Sequence, residues 1–241
     1  MLTHQLSNQA TTFVQSVLQF APRLAVFDCD GTLWSGDAGE RFFDCELRRG
    51  VVPDEIARWA RARYAEYRDG RVSEEDMCGE MVTLHRGLKE ENVQALAAEF
   101  IEENFVKQFF PEMQQLILDL QHAACDVWAV SSSNVWIIRA AMRHFNIPQD
   151  HILASEVEIE NGVVTDRLIR VPSGLGKPRA IREVIHRNPD VAFGNSRWDV
   201  EMLKIAAHPF VVNPNPDLEQ LANDEGWPVY WPDSLRNQTA G

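Results

Sequence analysis

Leu24-Ala25-Val26-Phe27-Asp28-Cys29-Asp30-Gly31-Thr32 is the stretch whose reading decides the fold. Its apolar run reads as a buried strand, and it stops abruptly at two carboxylates with one residue between them. In extended backbone, positions two apart point to the same side, so Asp28 and Asp30 converge where the strand ends. Two acids held that close repel unless one is protonated or a cation lies between them. Gly31 permits a sharp backbone turn, and Thr32 offers a hydroxyl at its exit. Cys29 alternates to the opposite face from the two acids and is expected in the core.

Further stations follow downstream. Asp126-Val127-Trp128-Ala129-Val130 is again an apolar strand, running into Ser131-Ser132-Ser133-Asn134 and then a helix with Val135, Ile138, Met142 and Phe145 at helical spacing. Hydroxyls and main-chain N–H groups at a helix start suit an anion, and the same geometry caps the helix. Gly174-Leu175-Gly176-Lys177-Pro178 opens a helix that turns Ile181, Val184 and Ile185 inward, with Pro178 in its first turn. Before it, Val157-Glu158-Ile159 and Val163-Val164 flank Asn161-Gly162, a hairpin signature. Finally, Val191-Ala192-Phe193-Gly194 leads through Asn195 to Asp199, where a helix begins with Val200, Leu203 and Ala207 as its apolar face.

In this order, the stations resemble the motifs of the haloacid dehalogenase superfamily, in particular its phosphoserine-phosphatase-like subclass. The resemblance runs from Leu24 to about Trp231. It implies Asp28 as nucleophile, Asp30 as general acid and base, Ser131 as the hydroxyl gripping the phosphoryl group, and Lys177 as the cation offsetting its charge. It also implies Mg2+, held by Asp28, the Asp30 main-chain carbonyl and Asn195, with Asp199 acting through water or orienting the other ligands. The superfamily usually has aspartate where Asn195 stands; the amide is still a hard oxygen ligand, but one negative charge fewer implies weaker metal binding. Thr32, Trp34, Asp37, Ser132 and Asn134 are the candidate substrate-binding residues. Beside Asp37, Trp34 is placed to hold a quaternary ammonium group, as in phosphocholine, or to pack between cap and core.

The 241 residues are 45% hydrophobic, enough for a full core plus a sizeable insertion. A net charge of −13 argues against nucleic acid or an anionic membrane as partner, so an anionic substrate needs a locally positive site. Cys29, Cys45, Cys78 and Cys125 show no metal-ligand spacing and read as reduced thiols of a cytoplasmic chain. No secretory or membrane-spanning stretch is legible. Residues 1–20, with Phe13, Val17 and Leu18, read as an amphipathic helix packed on the domain.

Between residues 36 and 110 strand signals vanish and charged helical patterns take over. Ile56, Trp59, Ala60, Tyr64 and Tyr67 share one predicted face, and Ser73 with Asp76 forms a capping-box pattern before Met77, Met81 and Leu84. A third pattern carries Val93, Leu96, Ala97 and Phe100, and Pro111 starts a helix back to the core. The expected fold is therefore α/β: a Rossmann-like three-layer core with a mostly parallel sheet, residues 1–36 and 110–241, plus an inserted α-helical cap, residues 37–109. The implied activity is Mg2+-dependent hydrolysis of a small phosphorylated metabolite through an aspartyl-phosphate. A phosphotransferase using the same intermediate, or a non-catalytic phosphate-binding regulator, shares these motifs.

Overall fold

The computed structural model describes residues 6–235. Its strands are β1 (Leu24–Phe27), β2 (Asp126–Asn134), β3 (Ile152–Glu160), β4 (Val163–Arg170), β5 (Val191–Gly194), β6 (His208–Val212) and β7 (Val229–Tyr230). They form one sheet in the order β4-β3-β2-β1-β5-β6-β7, parallel throughout except for the β3–β4 hairpin. Asn161 and Gly162 make its turn with φ of 51° and 77°, as the Asn-Gly pair requires.

Side-chain alternation sorts the strands onto two apolar layers. Ala25, Phe27, Val127, Ala129, Val191, Phe193, Phe210 and Val212 face one side, and Leu24, Val26, Trp128, Val130, Ala192 and Val211 the other. Helices α1 (Asn8–Leu18), α6 (Pro111–His122) and α7 (Val135–Met142) cover the first face. Helices α8 (Gly176–Val184), α9 (Val200–Ile205) and α10 (Pro216–Glu225) cover the second through Ala180, Ile181, Met202, Leu203, Leu218 and Ala222. This is the expected three-layer α/β architecture. The reading of residues 1–20 as a helix is met by α1, with Phe13 and Val17 buried; residues 1–5 lie outside the described residues.

Between β1 and β2 the chain forms α2 (Ala38–Arg49), α3 (Asp54–Arg68), α4 (Glu74–Thr83) and α5 (Glu90–Asn104). Phe42 of α2 and Val93, Ala97, Phe100 and Ile101 of α5 join the same apolar cluster as the sheet. By contrast, α3 packs Ala57 and Ala60 on Phe43, Leu47 and Val52 in a separate small cluster. The insert is also tied to the hairpin edge: Val164 N–H donates to Leu88 O, Gly87 N–H to Val164 O, and Glu90 N–H to Gly162 O, each at 2.9 Å. That covers an edge strand which would otherwise offer unpaired main chain.

Some face assignments differ from expectation. Ile56 and Trp59 are 37% and 46% exposed, while Ala57 and Ala60 are buried. Alanines let α3 approach Phe43 and Leu47 closely, so the inward face is rotated from the one its large residues suggest. In α8, Val184 is 37% exposed, whereas Ile181 and, just past the helix, Ile185 pack on the sheet layer as expected, joined by Ala180. Ala207 lies beyond the end of α9 and is exposed; Leu203 packs as expected, joined by Met202.

Candidate active site

The order of strands reverses direction at β1, with β2 on one side and β5 on the other. Crevices at the carboxyl ends of parallel strands open at such a point. Asp28 is the first residue past β1, and its N–H donates to Phe193 O at 2.9 Å, which aligns it with the end of β5. Asp28 is 6% exposed. Burial, with Asp199 adding to it, pushes its carboxyl up to about 7, while Lys177 and Thr32 oppose that rise.

Lys177, in the first turn of α8, is 1% exposed. Its ammonium donates to Asp28 Oδ1 at 2.7 Å, Asp199 Oδ1 at 2.6 Å and Val130 O at 2.9 Å, one acceptor for each N–H. Burial works against its charge, but Asp199 and Asp28 outweigh that and raise its pKa. The lysine is thus locked as a cation between two acids.

Asp199 closes a 3-10 turn, Arg197–Asp199. Its Oδ2 accepts from the N–H groups of Asn195 and Ser196 at 3.0 and 2.9 Å, and from Ser196 Oγ at 3.1 Å. With Oδ1 on Lys177, both oxygens are committed. Asp199 therefore ties Lys177 to the Asn195 loop, the orienting arrangement that is one of the two roles expected for it. Gly194 makes this approach possible: a Cβ there would stand 2.5 Å from Asp199 Cβ. Gly31 plays the same part opposite Asn195, with φ of 77° and room for a Cβ only 1.9 Å from Asn195 Nδ2.

Asp30 also lines the inner cavity. Its Oδ1 accepts from Trp34 Nε1–H at 2.9 Å and Ala38 N–H at 2.5 Å, and its Oδ2 from Ser133 Oγ–H at 2.7 Å. Burial raises its pKa, and these donors hold it back.

Several expected substrate contacts are placed differently. Thr32 is fully buried and donates its hydroxyl to Asp28 Oδ2 at 2.8 Å, so it braces that carboxylate. Trp34 is fully buried against Phe109 and Phe145, with its N–H spent on Asp30, so it presents no face to a ligand. Ser131 is 1% exposed and its Oγ accepts Ser133 N–H at 3.1 Å; it does not line the cavity. β2 is irregular between Val130 and Asn134; Ser132 lines both the inner cavity and the outer cleft, and Ser133 the outer cleft. Asn134 borders the outer cleft, but its Oδ1 accepts from Ile137 N–H at 3.0 Å and caps α7. Asp37 stands in the cleft as expected and caps α2 through Glu40 N–H at 2.7 Å.

The inner cavity, about 380 Å³, holds Asp28, Asp30, Lys177 and Asn195. It shares Asp37, Tyr67, Glu74, Ser132 and Trp198 with an outer cleft of about 600 Å³ between the sheet and the α3–α4 pair. Tyr67 donates its hydroxyl to Glu74, and Ser132 Oγ–H reaches Glu74 Oε1 at 3.4 Å, so Glu74 joins insert to core. Sequence reasoning passed over Glu74, Tyr67 and Ser133. The irregular end of β2 leaves no simple alternation to separate the three serines, and nothing local marks Glu74, which follows the helix cap at Ser73.

A protein described as a histidinol-phosphatase, from Neisseria meningitidis, is 26% identical over 218 residues, covering 86% of this chain and 97% of that one. A phosphoserine phosphatase of Mycobacterium tuberculosis is 24% identical over 231 residues, covering 85% of this chain and 69% of that one. Among solved structures, a Bordetella pertussis protein of unknown function superposes with a TM-score of 0.76 at 22% identity, covering 86% and 97% of the two chains. A phosphoserine phosphatase carrying an analogue of a phospho-aspartyl intermediate superposes at 0.55 with 18% identity, covering 90% and 98%. The profile of haloacid dehalogenase-like hydrolases matches residues 25–204, and with the site assembled at the end of β1 the chain belongs to that family.

Proposed function

We propose that this protein is a Mg2+-dependent phosphomonoester hydrolase that acts on a small phosphorylated metabolite through an aspartyl-phosphate on Asp28, with residues 37–109 serving as a cap. The observation that carries this reading is the Lys177 ammonium bridging Asp28 and Asp199 beside a second cavity acid, Asp30. An Asp28 oxygen attacks phosphorus in line while the bond to the leaving oxygen breaks, and Asp30 gives that oxygen its proton. Water then attacks the phosphoryl group as Asp30 takes its proton, the bond to Asp28 breaks, and orthophosphate leaves. Lys177 holds the nucleophile and offsets charge; Ser132 on the wall, with Ser131 beneath it, receives the phosphoryl oxygens.

The charges in the inner cavity support a cation. Asp28, Asp30, Asp37, Glu74 and Asp199 line it against the single cation Lys177, a poor home for a phosphate dianion alone. Among the described residues no group of His, Cys, Asp and Glu side chains forms a metal cluster. The available donors are the Asp28 carboxylate, the Asn195 amide oxygen and the Asp30 carbonyl, hard oxygens that fit Mg2+ with water completing the shell. When bound, the ion shields the phosphoryl charge and orients nucleophile and phosphate.

The outer cleft favours a leaving group that carries a protonated amine or imidazole. Tyr64, Tyr67 and Trp198 line it with Asp37 and Glu74, and among the described residues no ion pair reaches either acid; of the two arginines on its wall, Arg68 pairs with Glu40 at 3.6 Å and Arg197 lies over the Trp198 ring at 4.8 Å. The names of the two relatives, histidinol-phosphatase and phosphoserine phosphatase, agree with an amine-bearing substrate. Among the described residues no helix is long and apolar enough to cross a membrane.

The test is phosphate release from histidinol phosphate, phosphoserine, phosphoethanolamine, phosphocholine and glycerol phosphate, with Mg2+ or with chelator, and with or without an alcohol acceptor. Release that needs Mg2+ and vanishes in Asp28→Asn is expected. Release by Asp28→Asn at the wild-type rate would sink the covalent mechanism, and transfer to the alcohol in place of release would make the protein a phosphotransferase.

A further inference from the structure

Asp30 has partners of two chemical kinds on its two oxygens. Oδ1 accepts from an indole N–H and a main-chain N–H, those of Trp34 and Ala38. Neither group can accept a hydrogen bond, so Oδ1 remains an acceptor throughout any reaction cycle. Oδ2 has one partner among the described residues, the Ser133 hydroxyl at 2.7 Å. A hydroxyl donates to a carboxylate and, by rotating about its C–O bond, accepts from a carboxylic acid.

We infer that Ser133 is a positioning residue for the acid–base step, holding Asp30 Oδ2 as the oxygen that gives and takes the proton while Trp34 and Ala38 pin Oδ1. This rests on the phosphomonoesterase reading. In the first half-reaction the proton passes from Oδ2 to the leaving oxygen as the bond from that oxygen to phosphorus breaks. The Ser133 hydroxyl then donates to the carboxylate left behind. In the second, water bonds to phosphorus, its proton goes to Oδ2, the Asp28–phosphorus bond breaks, and Ser133 can again accept.

Packing shows why the hydroxyl stays where it is. A Cβ added at Gly39 would lie 2.3 Å from Ser133 Oγ and 3.0 Å from Ser133 Cβ, so α2 crosses over this serine at a distance that only glycine allows. The residue before Gly39 is Ala38, whose N–H is itself on Asp30. The first turn of α2 therefore supplies one donor to Asp30 and confines another. The acid is in place only while this first helix of the insert is seated on the sheet.

The experiment compares Ser133→Ala, Trp34→Phe and wild type on an alkyl phosphate, whose leaving oxygen needs a proton, and on 4-nitrophenyl phosphate, which needs little. Ser133→Ala is expected to lower kcat on the alkyl ester by roughly 10- to 100-fold, short of the 10²–10⁴ for loss of an acid–base group itself. KM should stay within about twofold, and the loss on the nitrophenyl ester should be about tenfold smaller. Trp34→Phe, which keeps a ring but loses the N–H, should show the same selectivity and decides the question if Ser133→Ala does not fold. Equal losses on both esters, or no loss, overturn the proposal while leaving an active phosphatase. A wild type that releases phosphate from neither ester overturns the phosphatase reading and this inference with it.

Discussion

Lys177→Met replaces the buried ammonium with an apolar side chain of similar length. The wild-type lysine is 1% exposed and satisfies Asp28, Asp199 and Val130 O at 2.6–2.9 Å. The variant leaves two buried acids and a carbonyl without their donor. Breaking a buried charge pair from one side costs about 3–5 kcal/mol, a fall in melting temperature of roughly 6–20 °C for a chain of this size. The sign with pH follows from Asp28. Its folded pKa is already raised from 3.8 to about 7, and losing the cation raises it further. A group whose folded pKa is raised contributes stability that is complete below its unfolded value and is lost as pH rises through the folded one. The deficit of the variant should therefore be smallest near pH 4 and widest above pH 7. Thermal unfolding of both proteins in chelator across that range measures it. A gap that stays constant, or narrows as pH rises, would refute the claim that the lysine compensates ionised Asp28. Phosphate release by the variant should fall by at least about 10³-fold, the scale of losing a preorganised charge at a reacting centre.

Asn195→Asp restores a carboxylate beside Asp28 and should lower half-saturating Mg2+ on the order of tenfold, since an added anionic ligand a few ångströms from a divalent ion counts strongly in a partly desolvated cleft; an unchanged value would remove Asn195 from the metal site. Gly194→Ala sets a methyl 2.5 Å from Asp199 Cβ. It should cost about 1–3 kcal/mol by overpacking and reduce turnover through the displaced Lys177 partner; wild-type turnover would show that the Asp199 geometry is dispensable. His85 and Glu46 are both fully buried, with His85 Nε2 2.6 Å from Glu46 Oε1 and His85 Nδ1 3.1 Å from Val82 O. Burial lowers the His85 pKa, but Glu46 outweighs it and the net shift is upward from 6.5, so the pair stabilises fully below that value and loses its contribution as pH rises through the raised one. Glu46→Gln should destabilise by about 3–5 kcal/mol at pH 6 and flatten the pH dependence above 6.5, read by urea unfolding at several pH values; an unaltered slope would mean that the pair does not carry the charge.

The strands and the residues at their ends were legible because burial on both faces leaves short, continuous apolar runs, and because a carboxylate at a strand end interrupts such a run visibly. Asp28 and Asp30 emerged in this way, whereas Lys177 and Asn195 were reached through the family resemblance; all four line one cavity. The sequence did not show which partner each polar group would meet. Thr32 was expected at the substrate and Trp34 either at the substrate or packed between cap and core; both turn inward to hydrogen-bond Asp28 and Asp30, and Trp34 packs on Phe109 and Phe145. Ser131 and Ser132 were ordered by motif position, whereas the strand continues through them with a register shift that leaves Ser131 buried and turns Ser132 and Ser133 to the opening. In α3, Ala60 and Tyr64 of the expected face do pack on the Phe43 cluster, but Ile56 and Trp59 are exposed and Ala57 takes the inward place. The Glu74–Tyr67–Ser132 contact joins segments brought together by the fold alone and left no local pattern to read.

The three acceptors of Lys177 also bear on how the chain acquires its activity. They lie 149, 47 and 22 residues away along the sequence, at Asp28, Val130 and Asp199. Contacts so distant form only after the intervening loops have closed, and closing long loops is what makes parallel sheets slow to assemble. During refolding, helices such as α5 and the β3–β4 hairpin need only their neighbours, while the ammonium finds all its acceptors once β1, β2 and the β5–α9 turn are side by side. Recovery of turnover should lag recovery of helical signal, so catalysis serves as the reporter of the last, least local event in the folding of this chain.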